Sequence, residues 1–250
     1  MKHVLSAAAF AAFAIAAPAQ AFDLTAMSAS ERTTLHSEIR AYLLENPEVI
    51  MEAVQVLEER QANQQAQSDE DMVKTNADAL FNDGYSWVGG NPDGDVTLVE
   101  FTDYRCGYCR KAHAEISELV SSDGNIRFIL KEFPILGDES TLSSRFAIAT
   151  RLVAGADAYK TAHDALITFK GNVTPKSLSR LADKLGLDGT AILARMNSAE
   201  VEQEIAANHA LAGRMQISGT PTFILDGQML RGYVPLASMQ QLVAATRAAN

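Results

Sequence analysis

The chain has 250 residues, 47% hydrophobic and 7% aromatic, with 21 Lys and Arg against 31 Asp and Glu and only two cysteines. That composition fits a globular protein and excludes global disorder. The acidic balance excludes a phosphate-neutralising nucleic-acid binder, which needs clustered Lys and Arg, and two cysteines exclude a disulfide-stapled scaffold.

Met1-Lys2-His3 leads into an apolar run from Val4 to Pro18, closed by Ala19-Gln20-Ala21. A basic start, a short apolar core and a small-x-small exit predict a secretory signal peptide over residues 1–21, cleaved after Ala21. The competing reading is a membrane anchor. Its apolar run falls short of the roughly 20 residues that span a bilayer, and Pro18 interrupts its end. No later stretch approaches spanning length. Export places the chain where disulfides are permitted, and that changes how its cysteines are read.

Lys2 is the only charged residue among the first 21, so the processed chain carries 20 bases and 31 acids, net −11. Residues 22–83 hold 13 acids and 4 bases, net −9, whereas residues 84–250 hold 18 and 16, net −2. The acidity therefore belongs to an N-terminal extension. Ser28 or Ser30 can cap a first helix there, with Glu31 near its positive end. Leu35, Ile39 and Leu43 share one face of it. Asn46-Pro47 ends this helix, and Pro47 suits the start of the next. In the second helix Ile50, Val54 and Leu57 form one stripe, and Val49, Ala53 and Val56 a second. Gln61 to Ser68 has no apolar face and reads as an exposed helix or a flexible linker. So short a helical hairpin cannot bury its own stripes. They dock on the body of the same subunit or pack against further copies. The polar stretch separating them from the body favours self-association through residues 22–60.

The body, residues 84–250, opens with the turn Asn91-Pro92-Asp93-Gly94. Val96 to Phe101 predicts a buried strand, and Ala112, Ile116, Leu119 and Val120 mark a helix after Cys106. Ile126 to Leu130 predicts a second strand. Residues 139–215 read as helical throughout: Leu142 to Val153, Ala158 to Phe169, Ser177 to Leu185, and Thr190 to Met215 with a break. Thr222 to Leu225 and Gln228 to Arg231 form a hairpin around Asp226-Gly227, and Leu236 to Ala249 a closing helix. The order is strand, helix, strand, helical insert, hairpin, helix.

Cys106-Gly107-Tyr108-Cys109 falls where the first strand meets its helix. There the Cys106 sulfur faces unpaired N–H groups and the positive helix end, which favours its thiolate. Thiolates serve as nucleophiles and as metal ligands, so three readings compete. As a redox pair, Cys106 attacks a disulfide and Cys109 resolves the mixed species. As a structural staple, the bond closes too small a loop to stabilise much. As a metal site, Cys106, Cys109 and His113 lack a fourth ligand, and His36, His163 and His209 show no ligand spacing. Redox chemistry is favoured, with no metal site and His113 read as a solvated helical histidine.

Val99 to Cys109, reading VEFTDYRCGYC, resembles the active-site segment of exported thioredoxin-fold proteins of the DsbA superfamily. Ser218-Gly219-Thr220-Pro221-Thr222-Phe223 is similar to the second signature of that family, which carries a cis-proline. The resemblance implies an α/β fold: a thioredoxin fold over 84–250 with an inserted helical domain at about 137–215, preceded by the helical extension. It implies Cys106 as exposed nucleophile, Cys109 as resolving thiol and a redox disulfide between them. Gly107, Tyr108, Thr220 and Pro221 become the substrate-binding set, the proline loop offering backbone groups to an extended client. Glu100 takes the place of a buried carboxylate that relays the Cys109 proton, with Lys131 as its candidate partner. The competing reading of Glu100 is a strand glutamate facing solvent.

Two departures qualify this. Arg105 precedes Cys106, and the Gly-Tyr pair differs from the Pro-His of DsbA. Gly-Tyr with Thr220 is similar to the isomerases DsbC and DsbG, whose fold lacks the insert. The combination of fold, site and extension resembles the ScsC-like group, associated with copper tolerance, some of whose members trimerise through the extension. Leu43 to Ile50, LLENPEVI, carries that last likeness. The expected protein is a periplasmic thiol–disulfide oxidoreductase without cofactor, acting on cysteine-containing exported proteins. A membrane redox partner keeps it reduced for isomerase or reductase work, and it forms a homo-oligomer, a trimer by resemblance. The alternatives are a DsbA-like disulfide donor and a copper-binding protein holding Cu(I) on Cys106 and Cys109.

Overall fold

Ser28 opens the first helix of the computed structural model, which describes residues 24–249; the signal-peptide reading lies outside the described residues. The Ser28 hydroxyl accepts from Glu31 N at 3.3 Å, and the Glu31 carboxylate accepts from Ser28 N at 2.8 Å. This capping box starts α1 (Ala29–Glu45), satisfying two backbone donors that a helix start leaves open. Asn46 closes α1, its N–H donating to Tyr42 O at 2.8 Å, and Pro47 stands directly before α2 (Glu48–Thr75). Residues 61–68 are thus helix rather than linker. Gln and Ala are good helix formers, and Gln65 adds a 2.8 Å bond to Asp69 one turn on.

Two compact units divide the chain, one ending at Glu59 and one beginning at Arg60. In the first, α1 buries no residue. Ile39, Tyr42, Leu44, Ile50, Met51, Val54, Val56 and Leu57 are all exposed.

The second unit is built on strands β1 (Trp87–Gly90), β2 (Val96–Thr102), β3 (Ile126–Glu132), β4 (Thr222–Leu225) and β5 (Gln228–Arg231). They form one mixed sheet in the order β1-β3-β2-β4-β5. β2 and β3 run parallel, and the other pairs run antiparallel. β1 has no counterpart in the sequence reading. Four residues with two glycines carry no usable period, and the strand is held by pairing with β3 and by Trp87, whose indole N–H donates to Ala156 O at 3.1 Å.

A short α3 (Ala77–Phe81) precedes the sheet, and α4 (Gly107–Asp123) crosses from β2 to β3. Between β3 and β4 stand five helices: α5 (Asp138–Ala154), α6 (Ala156–Ile167), α7 (Pro175–Leu185), α8 (Gly189–Arg195) and α9 (Ala199–Arg214). The break in the last helical stretch falls at Met196–Ser198, where Ser198 takes the N-cap position of α9 with extended backbone. α10 (Leu236–Ala249) closes the chain.

Successive strand residues point to opposite faces, and this sorts the core. Leu98, Phe128, Leu130, Phe223 and Leu225 join Cys109, Ala112 and Ile116 of α4 and the insert residues Phe146, Tyr159, Leu166 and Leu178. Val99, Phe101, Ile129 and Ile224 join Val73, Leu80, Leu211 and Met215 on the other face. Glu100 belongs to the α4 face. Lys131 pairs in register with Phe101 and belongs to the opposite one.

Candidate active site

Cys106 is the N-cap of α4, with extended backbone (φ −72°, ψ 121°), and its sulfur accepts from Cys109 N at 3.4 Å. The loop that delivers it is tied by Asp103. That carboxylate accepts from Arg105 N at 2.7 Å, Ile135 N at 2.8 Å, Leu136 N at 3.0 Å and the Ser140 hydroxyl at 2.8 Å. A single buried side chain therefore fixes the β2–α4 loop to the start of the insert.

The two cysteines are free thiols with opposite proton affinities. The Cys109 thiol donates to the Cys106 sulfur and, with Thr220 and the backbone N–H groups of Cys109 and Tyr108, outweighs burial to bring Cys106 down to about 5. Cys109 is pushed up, first by that same bond to Cys106, then by burial and the nearby Glu100 carboxylate. Cys106 keeps 7% of its surface and Cys109 none. The expected exposed nucleophile thus sits in a narrow opening, because the Thr220 loop closes on it.

The Thr220–Pro221 bond is cis. Thr220 O lies 3.2 Å from Cys106 Sγ, where it accepts from the protonated thiol. The loop is closed on itself by Thr222 Oγ1 to Gly219 O at 2.8 Å and Gly232 N to Pro221 O at 2.9 Å. Gly107 leaves open space at the helix start. Tyr108 is 64% exposed and stacks on Tyr233 with ring centroids 6.3 Å apart. Lys111 Nζ lies 4.1 Å over the Tyr233 ring, and the Tyr233 hydroxyl donates to Glu115 at 2.6 Å.

Glu100 is buried, not solvent-facing. Burial first, then the Cys106 and Glu132 charges, push it up to about 8. Lys131 is not its partner: it pairs with Asp83 and donates to Ala79 O at 2.8 Å. The cause is the strand period, which places Glu100 and Lys131 on opposite faces of the sheet.

A polar cluster that sequence reasoning missed lies beneath the loop. Tyr104 and Tyr159 donate to Glu132 Oε1 at 2.6 and 2.7 Å, and Tyr104 Oη is 3.0 Å from His163 Nδ1. Burial pushes Glu132 up to about 7 and His163 down to about 3, so this histidine is neutral. His113 is not a lone solvated residue: its Nε2 is 3.2 Å from Asp164 Oδ1 and its ring centroid 5.3 Å from that of His163. None of this has a local signature. The partners come from the β2–α4 loop, β3, α4 and α6, and only His163 and Asp164 are neighbours in the chain. Tyr104, inside the motif, was the one available hint.

Comparison with known proteins places these features. The DSBA-like thioredoxin domain model matches residues 97–244, more than half of the chain, and the copper resistance protein ScsC N-terminal domain model matches residues 31–64. A thioredoxin-like oxidoreductase from Silicibacter pomeroyi DSS-3 is 39% identical, covering 69% of this chain and 98% of that one, with a TM-score of 0.65. Proteus mirabilis ScsC in a transitional conformation covers 91% of this chain and 100% of its own, with a TM-score of 0.66; at 22% identity this likeness is one of fold. A curated relative, Na(+)/H(+) antiporter NhaA 1 of Salinispora arenicola, is 28% identical over 158 residues, 63% of this chain. The chain spans about a quarter of that relative's length (24%). Among the described residues no helix is long and apolar enough to cross a membrane. The chain belongs to the DSBA-like thioredoxin domain family.

Proposed function

We propose that this member of the DSBA-like family is an exported thiol–disulfide oxidoreductase of the periplasm, with Cys106 as attacking thiolate and Cys109 as resolving thiol. The observation that carries the reading is the placement of the thiols, with Cys106 at the N-cap of α4 accepting from Cys109 N and Cys109 buried one turn further in. With Cys106 down at about 5 and Cys109 pushed up, only Cys106 is ionised at neutral pH. Its thiolate attacks a client disulfide, forming a mixed disulfide and releasing a client thiolate. If that thiolate then attacks a second disulfide of the client, the thiolate it displaces attacks the client sulfur bound to Cys106, so that Cys106 leaves as thiolate and the client is isomerised without net oxidation. If Cys109 attacks first, the client leaves reduced and the Cys106–Cys109 disulfide forms.

Glu100 serves the second route. Its elevated proton affinity comes partly from the Cys106 charge. Once Cys106 is bound in a mixed disulfide that charge is gone, the Glu100 carboxyl ionises more readily, and it can take the Cys109 proton. Ionisation of Cys106 also frees Thr220 O, whose donor had been the thiol. That oxygen can then accept a backbone N–H from an extended client segment, with the exposed Tyr108–Tyr233 pair beside it.

The isomerase and reductase direction is supported by the Gly107-Tyr108 pair with Thr220 and by the exposed stripes of α1 and α2, which suit a homo-oligomer, a trimer in the family resemblance. Several Cys106 thiolates around one client raise the effective concentration of attacking thiol. A membrane redox partner keeps the pair reduced. The thiolate stabilisation itself favours a second reading, a disulfide donor, because stabilising the reduced form makes the disulfide more oxidising. The ScsC domain match adds a copper link, with Cys106 and Cys109 as soft ligands for Cu(I).

Scrambled and reduced ribonuclease separate these readings. The reduced protein is expected to recover activity from scrambled ribonuclease, and Cys106→Ala to recover none. Rapid oxidation of reduced ribonuclease by the oxidised protein, with no recovery of the scrambled form, would select the donor instead. Stoichiometric Cu(I) lost with either cysteine, without activity in either assay, would select the copper reading.

A further inference from the structure

We propose that His113, His163 and Asp164 form a site for a zinc-like divalent cation that straps the active-site helix to the helical insert. His113 stands on α4, one turn beyond Cys109, while His163 and Asp164 stand on α6. One ring nitrogen from each histidine and one carboxylate oxygen lie within 4.8 Å of one another. Two imidazoles with a carboxylate are the donor set of three-ligand zinc sites, which leave a fourth position open. Ligand atoms about 2.0–2.1 Å from a tetrahedral ion stand roughly 3.3 Å apart. His113 Nε2 and Asp164 Oδ1, at 3.2 Å, already meet that spacing, and the His163 ring nitrogen lies within 4.8 Å of both.

The groups behind His163 prepare it as a ligand. Glu132 Oε1 accepts from both Tyr104 and Tyr159. Having given its only proton there, Tyr104 offers His163 an oxygen lone pair, so the proton between them belongs to His163 Nδ1. The neutral ring is thereby fixed as the tautomer with a lone pair on Nε2. A metal-bound histidine ordinarily donates its other N–H to an oxygen that fixes the ring in this way. His163 is 3% exposed, so the ring is held inside the protein.

Lys160 is the competitor. Its Nζ lies 2.7 and 2.6 Å from the two Asp164 oxygens, so an incoming cation must displace it. The site is also wired to the redox loop: Tyr104 lies two residues before Cys106, and Arg110 Nε donates to Tyr104 O at 3.0 Å. An ion joining α4 to α6 holds the base of that loop from below.

The test uses the full chain carrying Cys106→Ala and Cys109→Ala, so that no thiolate competes, with Zn2+ as the probe. Equilibrium dialysis is expected to show one Zn2+ per chain, and thermal unfolding a midpoint that rises with Zn2+. Adding His113→Gln, at a partly exposed position that leaves the Tyr104–His163 bond intact, is expected to remove both effects. Adding Lys160→Gln instead is expected to tighten binding by about tenfold or more, since it removes the resident cation. A merely structural histidine cluster predicts none of this. No stoichiometric binding in the parent, undiminished binding after His113→Gln, or unchanged affinity after Lys160→Gln each overturns the site.

Discussion

Two sulfur atoms one helical turn apart differ in proton affinity because one occupies the helix N-cap and the other the interior. The N-cap placement of Cys106 follows from the sequence, where a β-branched strand runs directly into a helical period, and so does the direction of its shift. The size of the shift does not, because the largest contribution is the Cys109 thiol itself. Alkylation rate or ultraviolet thiolate absorbance against pH is expected to give a Cys106 midpoint near 5. Cys109→Ala removes the donor and is expected to raise that midpoint by about one unit or more; an unchanged midpoint would assign the shift to the backbone alone. Glu100 gives a second prediction at this scale. Its folded pKa of about 8 exceeds the ordinary glutamate value of 4.5, so between those values the folded state binds the extra proton. Stability therefore falls as pH rises from about 4.5 to about 8, with about 1.4 kcal/mol lost per unit at most. Glu100→Gln, which cannot ionise, is expected to flatten that slope in thermal midpoints measured across the same range. A slope unaltered by the substitution would mean that other groups carry it.

Elements with a long period were legible, and elements held by pairing alone were not. The α4 stripe, the helical spans of α5, α6 and α7 and the Asp226-Gly227 hairpin could be read from the sequence, whereas β1 owes its existence to β3 and to Trp87. Alternation within β2 and β3 also explains the wrong pairing of Glu100 with Lys131: their separation by sheet face follows only from the parallel register, which the strands do not announce individually. The β2–α4 loop is a further case. Asp103 carries no local signature of its role, yet it collects three backbone N–H groups and the Ser140 hydroxyl. Asp103→Ala leaves those donors without their acceptor. It is expected to destabilise the fold by at least about 3 kcal/mol in urea unfolding, at about 1–3 kcal/mol for each buried group left unpaired. Asp103→Asn retains one oxygen and is expected to lose less. Equal loss in both variants would show that charge, rather than the set of bonds, holds the loop.

At the scale of the whole molecule, the apolar stripes of the acidic arm were visible in the sequence, but a single chain does not say what covers them. Ile39, Leu44, Ile50, Met51 and Leu57 each keep roughly half or more of their surface, and no residue of α1 is buried. Contiguous exposed apolar surface of this kind marks an interaction site, and a helix that presents one to solvent is marginal unless a partner covers it. The acids of residues 22–83 are compatible with that, since charge between copies is tolerated where it remains solvated and screened at physiological salt. Self-association therefore predicts that Ile50→Lys with Leu57→Lys, which place ammonium groups on one stripe of the first unit and leave the sequence of the thioredoxin-fold unit unchanged, reduces the solution mass to that of one chain. Recovery of scrambled ribonuclease is expected to fall severalfold in this variant, because clustering of Cys106 thiolates is lost. Oxidation of reduced ribonuclease and the alkylation midpoint of Cys106 are expected to stay as they were, since both belong to a single site. A multimer that survives both lysines would place the contact elsewhere, and a monomer with undiminished isomerisation would detach the arm from the chemistry.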